Sequence, residues 1–203
     1  MDDAVVAEAG FVEIWTAQAG DDSRATAHAL LLSLAGTLVT DPVLRHTANG
    51  QPEIAGLAVS LSHSRSQVAV AARRTGTIGI DLEDVYPRSV HGLAQRWFDA
   101  DELDWMGDDL LGFLRLWTAK EAVGKALGVG LRNSGLRRRV PFGDGPVESV
   151  PGLYVVRLPL PGAVLAVALD EPPAEIVLTE HHGTALRSTV RSRTSFPVVV
   201  RGN

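Results

Sequence analysis

The chain has no cysteine. A disulfide scaffold, a thiolate zinc site and a cysteine nucleophile are therefore excluded. No apolar run reaches the roughly 18–20 residues that a membrane-spanning helix needs. The first ten residues, MDDAVVAEAG, are acidic and lack the basic start of a secretory signal, so the expected location is the cytoplasm. Basic charge is also short: 19 Lys and Arg stand against 24 Asp and Glu, a formal net charge of −5. That balance argues against sequence-independent nucleic-acid binding, which rests on cations neutralising phosphates. It leaves room for a local basic pocket. What the chain does have is apolar content, 45% of its 203 residues, enough for a real core in one large domain or two small ones.

The pattern of apolar residues predicts an α+β fold. FVEIWT (11–16) alternates as a strand does, and the Ala- and Leu-rich stretch 25–39 follows Asp21-Asp22-Ser23, a cluster suited to cap a helix. Asp41-Pro42 should close that helix, because the residue before proline is pushed out of helical geometry. Asn49-Gly50-Gln51-Pro52 reads as a turn. LAVSLSHS and QVAVAAR read as paired strands, and TIGIDLEDV (77–85) as another. Helical patterns cover 89–98, 99–106 and 110–127, and 130–151 reads as loop. YVVRLPL and AVLAVALD then form a hairpin at Pro161-Gly162, followed by IVLTE. The order strand, helix, hairpin occurs twice, which predicts two similar α+β halves, residues 1–76 and 77–178. Residues 179–203 form a basic tail, expected to be mobile.

Three motifs carry chemistry. Asp81 and Glu83 lie two apart in a strand and so share a face with Gly79, while Ile78, Ile80 and Leu82 face the core. Two carboxylates held side by side repel, and a divalent cation removes that penalty; oxygen donors without His or Cys suit Mg²⁺ or Mn²⁺. Taken alone, the pair is better read as a solvated strand end. In Trp117-Thr-Ala-Lys-Glu-Ala-Val-Gly-Lys125, positions 117, 121 and 125 form one helix stripe. Glu121 could supply a third carboxylate, and Lys120 and Lys125 could meet phosphate oxygens; the plainer alternative is a surface ion pair. Gly124 and Gly128 weaken that helix and make sense if something packs closely there. Ser62-His63-Ser64 lies at the strand junction, where His63 could donate to a phosphate or simply serve the turn.

Together, Gly79-Ile-Asp81-Leu-Glu83, Trp117-Thr-Ala-Lys120-Glu121-Ala with Lys125, and Ser62-His63-Ser64 resemble the signature of the Sfp-type 4′-phosphopantetheinyl transferases over roughly residues 20–170. The resemblance implies transfer of the phosphopantetheine arm of coenzyme A to a serine of an apo acyl or peptidyl carrier protein, with 3′,5′-ADP leaving. It also implies a pseudo-dimer of the two halves with the active site at their interface, acting as a monomer, often in secondary metabolism. Asp81, Glu83 and Glu121 match the magnesium ligands of that family. Lys125 matches a phosphate-binding lysine, assisted by Lys120, and His63 matches a contact to the coenzyme A 3′-phosphate. Glu102 falls where a general base for the carrier serine is placed in some members, beside Glu121 and Lys125 as the catalytic set. Gly50 and Gln51 stand where the family often has Gly-Lys, so backbone contacts there remain and a lysine is lost. Arg24, and after it Arg45, are the basic residues left for the 3′-phosphate. Arg132, Arg137, Arg138 and Arg139 are candidates for docking an acidic carrier. A second reading, motivated by Gln51, is a relative that binds coenzyme A or a carrier without transfer; a Mg²⁺-dependent phosphohydrolase is a third.

Overall fold

The computed structural model describes residues 11–130, 135–173, 175–181 and 190–196. The chain is built in four layers, helix, sheet, sheet, helix. The first sheet contains β1 (Phe11–Gln18), β4 (Ala58–His63), β5 (Gln67–Arg73), β10 (Glu175–His181) and β11 (Val190–Phe196), in the order β11-β10-β1-β5-β4. The second contains β6 (Ile78–Asp84), β7 (Gly145–Pro146), β8 (Tyr154–Leu160) and β9 (Ala163–Leu169), in the order β6-β9-β8-β7. A small ribbon pairs β2 (Arg45–His46) with β3 (Pro52–Glu53).

Period-two patterning explains the layering. Along β5, Ala69 and Ala71 point between the sheets, while Val68, Val70 and Ala72 point outward onto α1 (Ser23–Leu38). Ile78, Ile80 and Leu82 of β6 meet Leu165, Val167 and Leu169 of β9 in the same central layer, as the alternation predicts. Asp22 caps α1 by accepting from the Ala25 N–H, and the helix ends at Leu38, just ahead of Asp41-Pro42. On the far side lie α2 (His91–Trp97), α3 (Ala100–Met106) and α4 (Leu110–Ala126). Phe113, Leu114, Leu116, Ala119, Ala122 and Val123 form the buried stripe of α4.

Strand, helix and antiparallel hairpin recur in each unit. β1, α1, β4 and β5 give the local order β1-β5-β4, and β6, α4, β8 and β9 give β6-β9-β8. The expected join near residue 76 falls in the turn between β5 and β6. The expected boundary at 178 falls inside β10. That strand returns to the first sheet and pairs parallel with β1, whose outer edge it covers, and β11 pairs antiparallel with β10. Residues 182–189 and 197–203 of the expected tail lie outside the described residues. The loop expected over 130–151 contains a short 3₁₀ turn (Gly135–Arg137) and β7.

Candidate active site

β4 and β6 are edge strands of different sheets, and side chains join them. The Ser60 hydroxyl accepts from the Ile80 N–H at 3.0 Å, and the Ser62 hydroxyl accepts from the Leu82 N–H at 3.2 Å. Two residues further on, Asp84 accepts from the Ser64 and Ser66 hydroxyls at 2.7 and 2.6 Å and from the Arg65 and Ser66 N–H groups. Serines at alternate positions thus satisfy an edge that no strand covers. Burial raises the Asp84 pKa, but the hydrogen bonds from Ser66 and Ser64 and the two backbone N–H groups outweigh it, so the carboxyl stays below its ordinary range.

The other wall is α4. A Cβ on Gly79 would sit 2.0 Å from the Ala122 carbonyl oxygen, so only glycine lets the helix backbone lie this close to β6. Beyond the helix, the Val129 and Gly130 N–H groups return to the Gly124 carbonyl, and a Cβ on Gly124 would strike Gly130. Gly79 and Gly124 are therefore packing positions. Gly128, at φ 75°, lies against the Gln51 side chain.

Between these walls lies a cavity of about 540 Å³, within the range of small-molecule sites. Asp81, Glu83, Glu121, Lys125, Ser62, His63, Gly50 and Gln51 all line it. Asp81, 6% exposed, accepts from Ser62 Oγ at 2.9 Å and pairs with Lys125 Nζ at 2.7 Å. The same ammonium donates to the Ile80 and Leu61 carbonyls at 2.9 and 3.2 Å, so it also ties the two edge strands together. Gln51 Nε2 donates to the Lys125 carbonyl at 3.0 Å, which fastens the 49–52 turn to the end of α4. Glu83 pairs with Arg88 at 2.7 Å. Burial raises the Glu83 pKa, with Asp81 and Asp84 adding to the rise and Arg88 opposing it.

Glu121 makes no hydrogen bond or ion pair among the described residues. Burial, then the Asp81 and Glu83 charges, push its pKa from the ordinary 4.5 to about 7, against the pull of Lys125. An all-oxygen wall with uncompensated negative charge fits a hard divalent cation such as Mg²⁺ or Mn²⁺. As they stand, however, no three such side chains among the described residues converge as a ready-made metal-holding group. Lys125 and Arg88 occupy oxygens that a cation would need.

Other expected site residues lie elsewhere. Glu102 and Lys120 do not reach the cavity. Adjacent residues of a helix project about 100° apart, so Glu121 faces the cavity while Lys120 faces α3. There Lys120 pairs with Glu102 at 2.6 Å, with side-chain exposures of 0% and 4%, and lies over the Phe98 ring. Burial lowers the Lys120 pKa, and Glu102 partly restores it. Glu102 also closes the capping box of α3 with Asp99. Ser64 is spent on Asp84 and the Gln67 carbonyl, outside the cavity lining. Arg24 and Arg45 are exposed and do not line it either. The arginine cluster is partly engaged: Arg139 pairs with Asp99 and Asp101, Arg137 lies over Trp97, and Arg132 is outside the described residues. Sequence reasoning passed over Arg88 and Ser60. Ser60 was legible in the alternation Ser60-x-Ser62-x-Ser64; Arg88 follows the strand, where no spacing rule points back to Glu83.

The site is thus an acidic cavity of ligand size at the junction of two α+β units. Residues 77–149, which supply all three carboxylates and Lys125, match the 4′-phosphopantetheinyl transferase superfamily. A curated relative, the 4′-phosphopantetheinyl transferase HetI of Nostoc sp., is 40% identical over 82 residues. The aligned stretch covers 37% of this chain, and the chain spans about a third (35%) of that relative.

Proposed function

We propose that this chain transfers the 4′-phosphopantetheine arm of coenzyme A to a serine of an apo acyl or peptidyl carrier protein, releasing 3′,5′-ADP. The observation that carries the reading is Glu121, a partnerless carboxylate facing Asp81 and Glu83 in the cavity of a segment that matches the transferase superfamily. In this reading Asp81, Glu83 and Glu121 hold Mg²⁺, which when bound neutralises charge at the coenzyme A pyrophosphate. Lys125 sets a fixed positive charge on the same wall for a phosphate oxygen, and His63 donates from the cavity rim. Ser62 keeps the Asp81 carboxylate aimed inward. The carrier serine Oγ forms the new bond to phosphorus as the bond to the 3′,5′-ADP oxygen breaks. The hydroxyl proton passes to the Glu121 oxygen that does not hold the metal, since Glu102 is buried against Lys120. The two units act as the halves of a pseudo-dimer in one chain, which works as a cytoplasmic monomer in secondary metabolism. Among the described residues no helix is long and apolar enough to cross a membrane.

The test is direct: incubate the chain with Mg²⁺, coenzyme A and an apo carrier, and weigh the carrier by mass spectrometry. A phosphopantetheine mass increase supports transfer. No increase with several carriers, despite coenzyme A binding, favours the non-catalytic binding reading, for which Gln51 is the motive. Release of 3′,5′-ADP without carrier modification favours hydrolysis.

A further inference from the structure

Two of the three cavity carboxylates already hold a cation supplied by the chain. Lys125 Nζ pairs with Asp81 Oδ1 at 2.7 Å, the same oxygen that accepts from Ser62 Oγ at 2.9 Å. Arg88 Nη2 pairs with Glu83 Oε2 at 2.7 Å. The two cations differ in what else holds them. Arg88 is anchored outside the cavity lining: its Nη1 donates to the Asp84 carbonyl at 3.3 Å, and its guanidinium lies 4.4 Å from the centre of the Tyr86 ring. Lys125 lines the cavity, and its other partners, the Leu61 and Ile80 carbonyls, are neutral. An ammonium is a compact charge on a flexible stem, so it can turn from Asp81 to a phosphate on the same wall. A guanidinium stacked on Tyr86 outside the lining cannot follow.

We propose that Arg88 and Lys125 are built-in competitors of the divalent cation: Arg88 opposes it at Glu83 at all times, and Lys125 opposes it at Asp81 until a phosphate of the nucleotide draws the ammonium away. The competition rests on the metal and coenzyme A reading of the cavity. Its consequence is that the cavity takes metal and nucleotide together and resists metal alone. Charge counting gives the reason. Asp81, Glu83 and Glu121, all ionised, stand against Lys125 and Arg88 and leave one net negative charge. A divalent cation alone would turn that into a net positive charge, with two fixed cations close by in a partly dry cavity. A divalent cation together with a pyrophosphate diester, whose two negative charges cancel it, leaves the balance as it was. Lys125 then has a phosphate oxygen in place of the Asp81 oxygen that the metal takes.

The experiment is titration of Mn²⁺, without nucleotide, into the wild type, Lys125→Met and Arg88→Gln, followed by electron paramagnetic resonance. Calorimetric titration of coenzyme A into each protein, with chelator and then with saturating Mn²⁺, measures how far the metal strengthens nucleotide binding. Thermal melts check that both variants are folded. Each variant should bind Mn²⁺ alone about tenfold more tightly than the wild type, because one opposing charge is gone. Mn²⁺ should strengthen coenzyme A binding equally in the wild type and in Arg88→Gln, and about threefold less in Lys125→Met, where no ammonium is left to exchange. Weaker or unchanged Mn²⁺ binding in a folded variant overturns the competition for that residue. Equal strengthening in all three proteins overturns the exchange at Lys125. Both results leave the metal reading standing. Failure of the wild type to take Mn²⁺ even with coenzyme A overturns the metal reading and the competition with it.

Discussion

Two lysine–carboxylate pairs hang from the same helix and do different work. Lys120 and Glu102 meet at 2.6 Å with almost no solvent access, over the Phe98 ring and under α3. Lys125 and Asp81 meet at 2.7 Å on the wall of a cavity, where the lysine side chain keeps 26% exposure. The first pair lies outside the lining of that cavity. It is a strut that satisfies charge buried by the packing of α3 on α4, and removing one partner strands the other. The second pair can exchange partners, because an incoming cation can take Asp81 while phosphate takes Lys125. Position around a helix, not residue type, separates strut from site.

The largest effect that would separate them is on activity. Asp81→Ala should lower transfer by about a thousandfold or more while the protein stays folded, as initial rates of holo-carrier formation and a thermal melt would show. A residual rate near wild type would end the assignment of β6 as the catalytic strand. Next comes the strut. Lys120→Met or Glu102→Gln should each remove about 3–5 kcal/mol of unfolding free energy in denaturant titrations, and combining them should cost less than the sum. Additive losses would mean that the pair is not coupled. Lys125→Met should show the opposite balance, roughly 1 kcal/mol or less of stability and about a hundredfold or more of transfer.

The pH response is smaller and has a definite sign. Glu121 has a folded pKa of about 7 against the ordinary 4.5, so the folded protein holds the extra proton between those values. Stability of the metal-free protein should therefore be greatest below about pH 4.5 as far as this group is concerned, and fall as pH rises toward 7. Glu121→Gln should flatten that part of the profile; an unchanged slope would show that Glu121 is not strained by its neighbours. The smallest change should come from Arg139→Ala. Its pairs with Asp99 and Asp101 are open to solvent, and its melting temperature should match wild type.

Much of this architecture was legible from period and punctuation. The alternation in Gly79–Glu83 placed the carboxylates on one face, and the 117–121–125 stripe placed Glu121 and Lys125 together. Gly124 and Gly128 signalled close approach, and the neighbours are the Gly130 backbone and the Gln51 side chain; Gly79, read only as sharing the carboxylate face, is where the α4 backbone packs on β6. What stayed hidden was long-range. Nothing local tells Lys120 from Lys125 as strut and site, since that depends on which side of α4 meets α3. Nor does local pattern predict that β10 crosses back to pair with β1, a contact set by the order of the sheets. The Lys125 contacts to both edge strands and the Arg88–Glu83 pair are likewise products of assembly.

The most direct measurement is Mn²⁺ binding, followed by electron paramagnetic resonance, in wild type, Glu121→Gln and Glu102→Gln, each below its melting temperature and in the presence of coenzyme A. If the cavity face of α4 is the site and the α3 face the strut, wild type and Glu102→Gln bind Mn²⁺ with similar affinity and Glu121→Gln loses most of it. Equal binding by Glu121→Gln, or loss in a folded Glu102→Gln, would contradict that division.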